Sequence, residues 1–338
     1  MLRSASPRRG LALITAAAAV SVTVGLVATP AAAQDTDDEG GTKTLREQLD
    51  EAATAYQDAK VELEKSQERQ LKLTVKLESL EVELEEVTDQ VQVVAATAYR
   101  TGRVGPFAAL LNSSSPNAFL ERAATVDMIA KREQEILANL RRLSGDVEEQ
   151  RELIDAEIKV QEEEVDKLEA AKRQAEEALI AVGGGASGSF EAYDSPLAEP
   201  APRNDDGSWP GESCTEDDPT TGGCLTPRML HAYNEAQIFG FTRHTSCYRN
   251  GTWGEHPIGR ACDFAASYNG FGGVAYGDEK VYGDRLASFF ITNADRLGVQ
   301  YVIWYRQVWF PGSGWSSYGG GGGDPASDHT NHVHISIR

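Results

Sequence analysis

The stretch GEHPIGRACDF, residues 254–264, places a histidine before a Pro-x-Gly turn and an aspartate seven residues after that histidine. Near the end of the chain, DHTNHVHIS, residues 328–336, adds three more histidines. Residues i and i+2 of a strand point to the same face, so His332 and His334 would project into one pocket. Zn²⁺ binds nitrogen and oxygen ligands tetrahedrally, and a catalytic site keeps three protein ligands and one water. The two stretches therefore offer four ligand candidates for three positions.

All six histidines of the 338-residue chain lie at or after position 231. Taken alone, HVH is equally typical of a strand whose polar residues face solvent. His256 and Asp263 alone could be a surface histidine in a loop and an aspartate that closes a strand. Because both motifs occur in one small module, we favour a metal site.

The first 33 residues have the layout of a secretory signal peptide. Three arginines precede the apolar run LALITAAAAVSVTVGLVA, and the alanines at 31–33 supply a small-residue cleavage site. An uncleaved signal anchor is the alternative. No second apolar run reaches the roughly 18–20 residues that span a bilayer. We expect residues 34–42 to be a short disordered segment, and the protein to be secreted and associated with the cell wall.

Export changes the interpretation of the cysteines, of which there are four. An even number of cysteines in a compact exported segment suggests two disulfides. Proximity along the chain favours Cys214–Cys224 and Cys247–Cys262, and two other connectivities stay open. A cysteine-based zinc site is the rival interpretation, but the sequence contains no C-x-x-C pair.

The acidic charge lies in the N-terminal part of the chain. The formal net charge is −20, and the +3 of the signal cancels the −3 of residues 213–338, so residues 34–212 account for the whole excess. Such a surface repels nucleic acid, and we expect no nucleic-acid partner.

Residues 43–182 show an apolar repeat of about 3.5 residues, which predicts a coiled coil. The repeat is interrupted at polar Ser66 and Gln70, and a segment with two glycines and two prolines (102–116) separates its two halves. Two long helices with such a break can fold back as an antiparallel hairpin. A parallel dimer of extended helices is the alternative. The first seam contains Leu45, Leu49, Ala52, Tyr56, Ala59, Leu63, Leu73, Leu77, Leu80, Leu84, Val87, Val91, Val94 and Ala98, and the second contains Ile136, Leu140, Leu143, Val147, Gln150, Ile154, Leu168, Ala175 and Val182.

The run AATAYRTGRVGPFAALLNSSSPNAFLERAATVDMIAKREQEIL, residues 95–137, resembles the break in PcsB/EnvC-type periplasmic coiled coils. Such modules precede cell-wall hydrolase domains, and some dock onto the FtsEX division complex. The resemblance implies an FtsEX-like membrane partner for the coiled coil. The alternative role is a spacer that extends the C-terminal domain.

Residues 183–212 are rich in Gly, Pro and Ser and lack apolar periodicity, which predicts a linker. Residues 213–338 mix helix and strand patterns. Thr226 and Pro227 begin a predicted helix that ends at Gly240, and DRLASFFITNADRL predicts a second helix that ends at Gly298. QYVIWYRQVW and HVHISIR predict strands. We expect an α+β domain with helices against a small antiparallel sheet.

H-P-x-G-R-A-x-D-F followed by H-x-x-H-x-H resembles the LAS group of zinc peptidases, within roughly residues 225–338. This group includes D-Ala-D-Ala carboxypeptidases, D-Ala-D-Ala dipeptidases and penicillin-insensitive murein endopeptidases, on the hedgehog/D,D-peptidase fold. The resemblance implies Zn²⁺ held by His256, Asp263 and His334, and peptidoglycan stem peptides as substrates. Together with QYVIWYRQVW, the motifs are similar to a secreted actinobacterial subgroup with N-terminal coiled coils.

The sequence departs from the family pattern at two positions. Gly254 stands where a serine is common, and Asn331 stands where many members carry an acidic catalytic base. An amide cannot take a proton from water. The murein endopeptidases carry histidines at the positions of His332 and His329, which implies His332 as the first candidate for water activation and His329 as the second. Asp328 is a third candidate.

Substrate binding needs a cation for a stem-peptide carboxylate, and arginine suits a bidentate contact. The run TRHTSCYRNG offers Arg243 and Arg249, and the family's placement of such an arginine favours Arg249. Arg260, inside the metal motif, is expected to be structural. A second function stays open at this point: a peptidase-like domain of weak or absent activity that binds the cell wall and activates another hydrolase.

Overall fold

The predicted coiled coil is an antiparallel hairpin of two long helices. A computed structural model describes residues 43–102, 108, 110–181, 190–319 and 321–338. Helix α1 spans Lys43–Thr101 and helix α2 spans Pro116–Ala181, and the two pack along their length. Seam positions of both helices, such as Val87 and Leu143, are buried. The prediction of a helical hairpin is therefore confirmed.

Several predicted segments lie outside the described residues: the signal peptide (1–33), the segment 34–42, part of the break between the helices (103–107 and 109), and residues 182–189, which include the seam residue Val182 and the start of the linker. Among the helices of the described part of the chain, none combines the length and the apolar character needed to cross a membrane.

The polar interruption of the first seam forms a polar layer across the hairpin. The Ser66 hydroxyl donates to a carboxylate oxygen of Glu157 at 2.7 Å. One turn further, the Gln161 amide donates to the side-chain oxygen of Gln70 at 2.9 Å. Partly buried polar pairs of this kind favour one register between two helices, because a shifted register leaves them without partners. The two positions that break the heptad pattern thus fix how α1 and α2 align.

The C-terminal domain combines eight strands with three α-helices among the described residues. The strands are β1 Glu216–Asp217, β2 Cys224–Leu225, β3 Thr245–Ser246, β4 Ala261–Ala265, β5 Val299–Trp304, β6 Gln307–Phe310, β7 Gly314–Ser317 and β8 His332–Ile337, and the helices are α3 Pro227–Ile238, α4 Asp278–Thr292 and α5 Ala294–Leu297. Six strands form one antiparallel sheet with the order β3-β4-β8-β5-β6-β7, and a separate two-stranded sheet pairs β1 with β2. These elements confirm the predicted α+β class.

Helix α3 begins where its capping residues predict. Thr226 has extended backbone angles, and its side-chain oxygen accepts a hydrogen bond from the Met229 amide at 3.2 Å. Pro227 occupies the first turn, where its missing N–H costs nothing. Helices α3 and α4 bury one face of the sheet in a core that includes Phe264, Val302 and Ile335.

The strand predicted over Gln300–Trp309 is in fact a hairpin, so that prediction is wrong in its middle. Tyr305 and Arg306 have positive φ values of 52° and 64°, and the chain reverses there between β5 and β6. Their sequence lacks the Asn-Gly or Asp-Gly signal of such turns. Tertiary contacts hold them instead, since their amides donate to the carbonyls of His329 and Asp328 at 2.8 and 3.1 Å.

The second predicted helix is interrupted at Asn293, which separates α4 from α5. The Asn293 side chain accepts a hydrogen bond from the Ala198 amide at 2.8 Å and donates one to the Pro196 carbonyl at 2.9 Å. Residues 190–212, assigned above to the linker, include buried Ala198 and Ala201 and lie against the domain. The packed part of the domain thus begins upstream of Ser213.

The open ends of the helical hairpin cover the other face of the sheet. The Arg260 guanidinium, in the metal motif, donates to Asp50 of α1 and to Gln300 of β5, both at 2.6 Å, which agrees with a structural role. The apolar cluster at this contact comprises Leu45, Leu49, Ala52 and Ala53 of α1, Ala175, Ala178 and Leu179 of α2, and Tyr301, Ile303, Val308, Phe310 and Tyr318 of the domain. Coiled coil and sheet therefore share one core.

A buried ion pair lies at the edge of this contact. A guanidinium nitrogen of Arg46 on α1 lies 3.6 Å from a carboxylate oxygen of Glu255, and both side chains are almost fully buried. The Tyr301 hydroxyl donates to the same carboxylate oxygen at 2.7 Å. Removing one partner of a buried pair leaves the other charge uncompensated, at a cost of about 3–5 kcal/mol.

We predict that Arg46→Met lowers the free energy of unfolding by about 3 kcal/mol, because Glu255 then stays buried without its cation. Lys131→Met is the matched control, since it removes an exposed i,i+4 pair with Asp127 from α2, worth only about 0.3–0.5 kcal/mol. Urea unfolding with both disulfides intact measures the two losses. Equal losses in the two variants would contradict the role of Arg46. The double variant Arg46→Met, Glu255→Gln should recover part of the loss.

Candidate metal centre

The antiparallel pairing of β4 with β8 brings two of the predicted ligands side by side. Asp263 and His334 are directly opposite each other in the register of these strands. His256 opens a short 3-10 helix, His256–Ile258, that precedes β4. All three side chains are buried, with 2%, 6% and 0% of His256, Asp263 and His334 exposed. Their ligand atoms lie within 4.8 Å of one another, so one ion can be held by all three.

The atoms that face each other are all Lewis bases. Nε2 of His256 lies 3.4 Å from Oδ2 of Asp263 and 3.3 Å from Nδ1 of His334. Nδ1 of His334 lies 2.9 Å from Oδ1 of Asp263. Two ring nitrogens and a carboxylate that converge in a buried space need a cation or shared protons between them. This donor set fits Zn²⁺, which binds imidazole and carboxylate ligands.

Neighbouring groups select which ring nitrogens are available. The Nδ1–H of His256 donates to the Cys247 carbonyl, which leaves Nε2 of that ring with its lone pair. The Ser336 hydroxyl lies 3.1 Å from Nε2 of His334 and can accept a hydrogen from it, which leaves Nδ1 to bind a metal. Hydrogen bonds of this kind orient metal-binding histidines and fix their tautomers.

Each of the two predicted disulfides is present, and one supports the ligands. Cys247 supplies the carbonyl that holds the His256 ring, and Cys262 precedes Asp263 in β4. The Cys247–Cys262 bond therefore ties the two ligand-bearing segments together. Disulfides of this kind are typical of proteins in oxidising, extracytoplasmic compartments.

The glycine of the Pro-x-Gly turn is needed for the turn after His256. Gly259 has a φ of 72°, in the left-handed region that favours glycine. A Cβ atom there would lie 2.5 Å from the Cys214 sulfur and 2.7 Å from the Cys224 carbonyl oxygen. The turn can therefore pack against the Cys214–Cys224 disulfide only without a side chain.

Charge and burial shift the pKa values of the site in opposite directions. Burial alone would raise the pKa of the Asp263 carboxyl, but His256 and His332 hold it well below its usual value. Burial lowers the pKa of His332 and of His334 to about 4, against the opposing effect of Asp263. An ionised Asp263 beside a neutral His334 imidazole is a protonation state that favours binding of a divalent metal.

The two predicted catalytic histidines lie next to the ligands. His332 and His334 point to the same face of β8, as their spacing predicts, and Nε2 of His332 lies 3.5 Å from Oδ1 of Asp263. The His329 and His332 rings are 4.7 Å apart between centroids. Nε2 of each of these two rings is buried and has no hydrogen-bond partner in the protein. Burial is also the main cause that lowers the pKa of His329 well below its usual value.

The third candidate base, Asp328, is bonded to Arg306, and the Asn331 amide is bonded to His332 within the site. Asp328 accepts two hydrogen bonds from the Arg306 guanidinium, at 2.9 and 2.5 Å, which support the β5–β6 turn. The Asn331 side chain bonds to Gly272 and to His332. Neither side chain is a base for the site in this arrangement.

The structure distinguishes the two candidate arginines. Arg249 is about one-third exposed, and its guanidinium lies 3.3 Å from Oδ2 of Asp263. Arg243 instead lies between the rings of Tyr268 and Tyr282, at 3.9 and 3.8 Å from their centroids. An open cavity of about 670 Å³ adjoins Arg249 and is lined by Thr221, Gly222, Gly223, Cys224, Tyr248, Arg249 and Asn250.

Three residues around the site were not found from the sequence. The Tyr301 ring stacks on His334 with 5.8 Å between centroids, and its hydroxyl is bonded to Glu255, the residue before His256. Arg46 completes this chain of contacts from the coiled coil. Of these three residues, only Glu255 had a signal in the sequence, because it directly precedes the ligand His256. Near the site, Trp304 at the end of β5 is buried in the core, and its indole N–H donates to Asp284.

The comparisons with known proteins concern the C-terminal domain. A family model described as "VldE, C-terminal domain" matches residues 221–332, which is less than half of the chain. The matched range includes His256, Asp263 and His332 and ends before His334. No match was found among curated proteins or among solved structures.

We predict that Cys247→Ser, Cys262→Ser lowers zinc affinity by about 10- to 100-fold, because the His256 ring loses a fixed acceptor. Opening this loop, whose cysteines are 15 residues apart, should also lower the free energy of unfolding by about 3 kcal/mol. Zinc titration against a competing chelator and urea unfolding measure the two effects.

The control for this prediction is Cys214→Ser, Cys224→Ser. This variant should lose stability but keep most of its zinc affinity, because neither cysteine adjoins a ligand in the chain or bonds to one. Unchanged affinity in the Cys247/Cys262 variant would refute the proposed support of the ligands.

Proposed function

We propose that this protein is a secreted zinc-dependent peptidase that hydrolyses amide bonds of peptidoglycan stem peptides. One observation carries the proposal: His256, Asp263 and His334 converge on one point, with two further histidines beside them. The resemblance to LAS-type peptidases implies the same three ligands. The VldE C-terminal domain match over residues 221–332 is compatible with this proposal and does not identify a reaction.

The metal would be held by Nε2 of His256, the Asp263 carboxylate and Nδ1 of His334. When bound, a divalent zinc ion polarises the scissile carbonyl and makes water more acidic. Three protein ligands leave a further coordination position open, which is typical of catalytic rather than structural zinc sites.

The residues of the chain itself would move the proton. Burial keeps the His332 imidazole neutral at pH 7, since its pKa is lowered to about 4. Its Nε2 can therefore take a proton from the attacking water and give it to the leaving amine. His329, whose Nε2 is also buried without a partner, is the second candidate for this role.

Arg249 would bind the substrate. Its guanidinium lies between the metal ligand Asp263 and the open cavity, and arginine can hold a carboxylate through two hydrogen bonds. A stem peptide carries such a carboxylate near the bond to be cut. The acidic surface of the chain, with a net charge of −20, disfavours nucleic acid as a substrate.

The helical hairpin would bind a membrane partner of the FtsEX type. Toward its tip, away from the sheet, the described part of the hairpin exposes several large apolar side chains, and a partner could cover them. These side chains are Val93, Tyr99, Leu111, Leu120, Met128 and Ile129. The other end of the hairpin shares a core with the sheet. A partner bound at the tip would therefore act on the domain through α1.

A second function, the activation of another hydrolase by contact, is favoured by the burial of the site. No metal ligand is more than 6% exposed. A site closed to substrate would bind zinc without cleaving peptide. The full-length protein is the right sample for both functions, because a fragment that begins at Ser213 would expose Tyr301, Ile303 and Phe310 to water.

We expect about one zinc ion per chain, and release of soluble peptide from purified sacculi. His256→Ala should lose both zinc and cleavage. His332→Ala should keep zinc while kcat falls by about 10²- to 10⁴-fold, the usual contribution of a general base. Elemental analysis and chromatography of the released peptides provide these readouts.

His231→Ala is the matched control, because His231 lies on α3 and, among the described residues, is hydrogen-bonded to the Glu199 carbonyl and not to a metal ligand. It should match the unchanged protein in zinc content and cleavage. Zinc without cleavage in the unchanged protein would favour the activator function. The absence of zinc would refute both the peptidase function and an activator function that retains the metal site.

A further inference from the structure

Asn331 occupies the position at which the resemblance to LAS-type peptidases implies an acidic base. Both ends of its side-chain amide are hydrogen-bonded. It is buried, with 4% of its surface exposed. Its Nδ2 atom lies 2.9 Å from the Gly272 carbonyl oxygen, and its Oδ1 atom lies 2.7 Å from Nδ1 of His332. A role for this residue in moving the proton of His332 rests on the peptidase function proposed above.

The Gly272 carbonyl decides the orientation of the amide. A carbonyl oxygen only accepts hydrogen bonds, so the NH₂ group of Asn331 must face it. The opposite orientation would bring two oxygens together at 2.9 Å. The side-chain oxygen of Asn331 therefore faces the His332 ring.

The amide orientation in turn decides the tautomer of His332. The Asn331 oxygen can only accept, so Nδ1 of His332 must carry a hydrogen and donate it. In a neutral imidazole the other nitrogen then has a free lone pair. That nitrogen, Nε2, is the buried atom without a hydrogen-bond partner, and it faces the carboxylate of the metal ligand Asp263 at 3.5 Å.

We infer that Asn331 is a positioning residue that holds His332 in the tautomer with hydrogen on Nδ1 and a lone pair on Nε2. The backbone carbonyl of Gly272 sets this arrangement, because it accepts a hydrogen bond from the Asn331 NH₂ group. Phe271, the residue before it, packs edge to face against the His332 ring with 5.6 Å between centroids, which restricts ring rotation. The Asn331 amide thus stands at the position of an acidic residue and orients His332, but it does not itself take a proton.

The tautomer can be measured directly in the full-length protein. Histidine labelled with ¹⁵N gives different shifts for protonated and unprotonated ring nitrogens, and His332→Gln identifies the signals of His332 among the six histidines. In both metal-free and zinc-loaded protein, we expect His332 with hydrogen on Nδ1. Asn331→Leu removes the acceptor at similar volume, and should give a mixture of tautomers or the Nε2–H form.

Asn331→Asp is the matched variant, because a carboxylate oxygen accepts the same hydrogen and should keep the Nδ1–H tautomer. The signal of His231, which lies on α3 and is hydrogen-bonded to the Glu199 carbonyl, should stay unchanged in both variants and report that the fold is intact. An Nδ1–H tautomer that persists in Asn331→Leu, or its absence from the unchanged protein, would overturn the inference.

Kinetics separate positioning from general structural damage. In zinc-loaded Asn331→Leu, kcat should fall by about 10- to 100-fold with KM nearly unchanged, the usual effect of losing a group that orients an active-site histidine. Asn331→Asp should recover much of kcat. A loss confined to KM or to zinc content would overturn the role. If the unchanged protein cleaves no stem peptide, the peptidase function fails, and the tautomer measurement alone decides the role of Asn331.

Discussion

The pairing of β4 with β8 is the constraint on which the rest of the structure depends. It sets Asp263 opposite His334 in a buried position, where an ionised carboxylate and two facing nitrogens are unfavourable without a cation. The strand order places β8 between β4, which carries Asp263, and β5, whose Tyr301 stacks on His334. The disulfide between Cys247 and Cys262 then brings His256 to the same point.

A chain of side-chain contacts connects the site to the coiled coil. His334 stacks on Tyr301, whose hydroxyl bonds to Glu255, which pairs with Arg46 of α1. The hairpin is therefore more than a spacer attached by a linker, because its open ends supply a buried charge and seven of the twelve buried residues of a shared apolar core. A change in the position of α1 would change the surroundings of Glu255, the residue next to the first ligand.

Much of the site could be predicted because its chemistry is local in the sequence. The spacing of His256 and Asp263 around a Pro-x-Gly turn, and the alternation of His332 and His334, follow from backbone geometry over a few residues. The seam of the coiled coil follows from its repeat in the same way. Asn331 was recognised from the sequence only as a departure from the family pattern, since its two hydrogen-bond partners are not apparent there.

The sequence by itself determined the two long helices, the α+β class of the C-terminal domain and the residue types that could bind a metal, while the antiparallel pairing of the helices was decided by the structure. It could not determine the reversal at Tyr305 and Arg306, which lacks a local turn signal and is held by carbonyls of the segment before β8. Nor could it assign Arg46 to the surroundings of the site, more than 200 residues away along the chain. Local patterns report on neighbouring residues of the chain, whereas burial and charge pairing depend on segments that meet only in the folded protein.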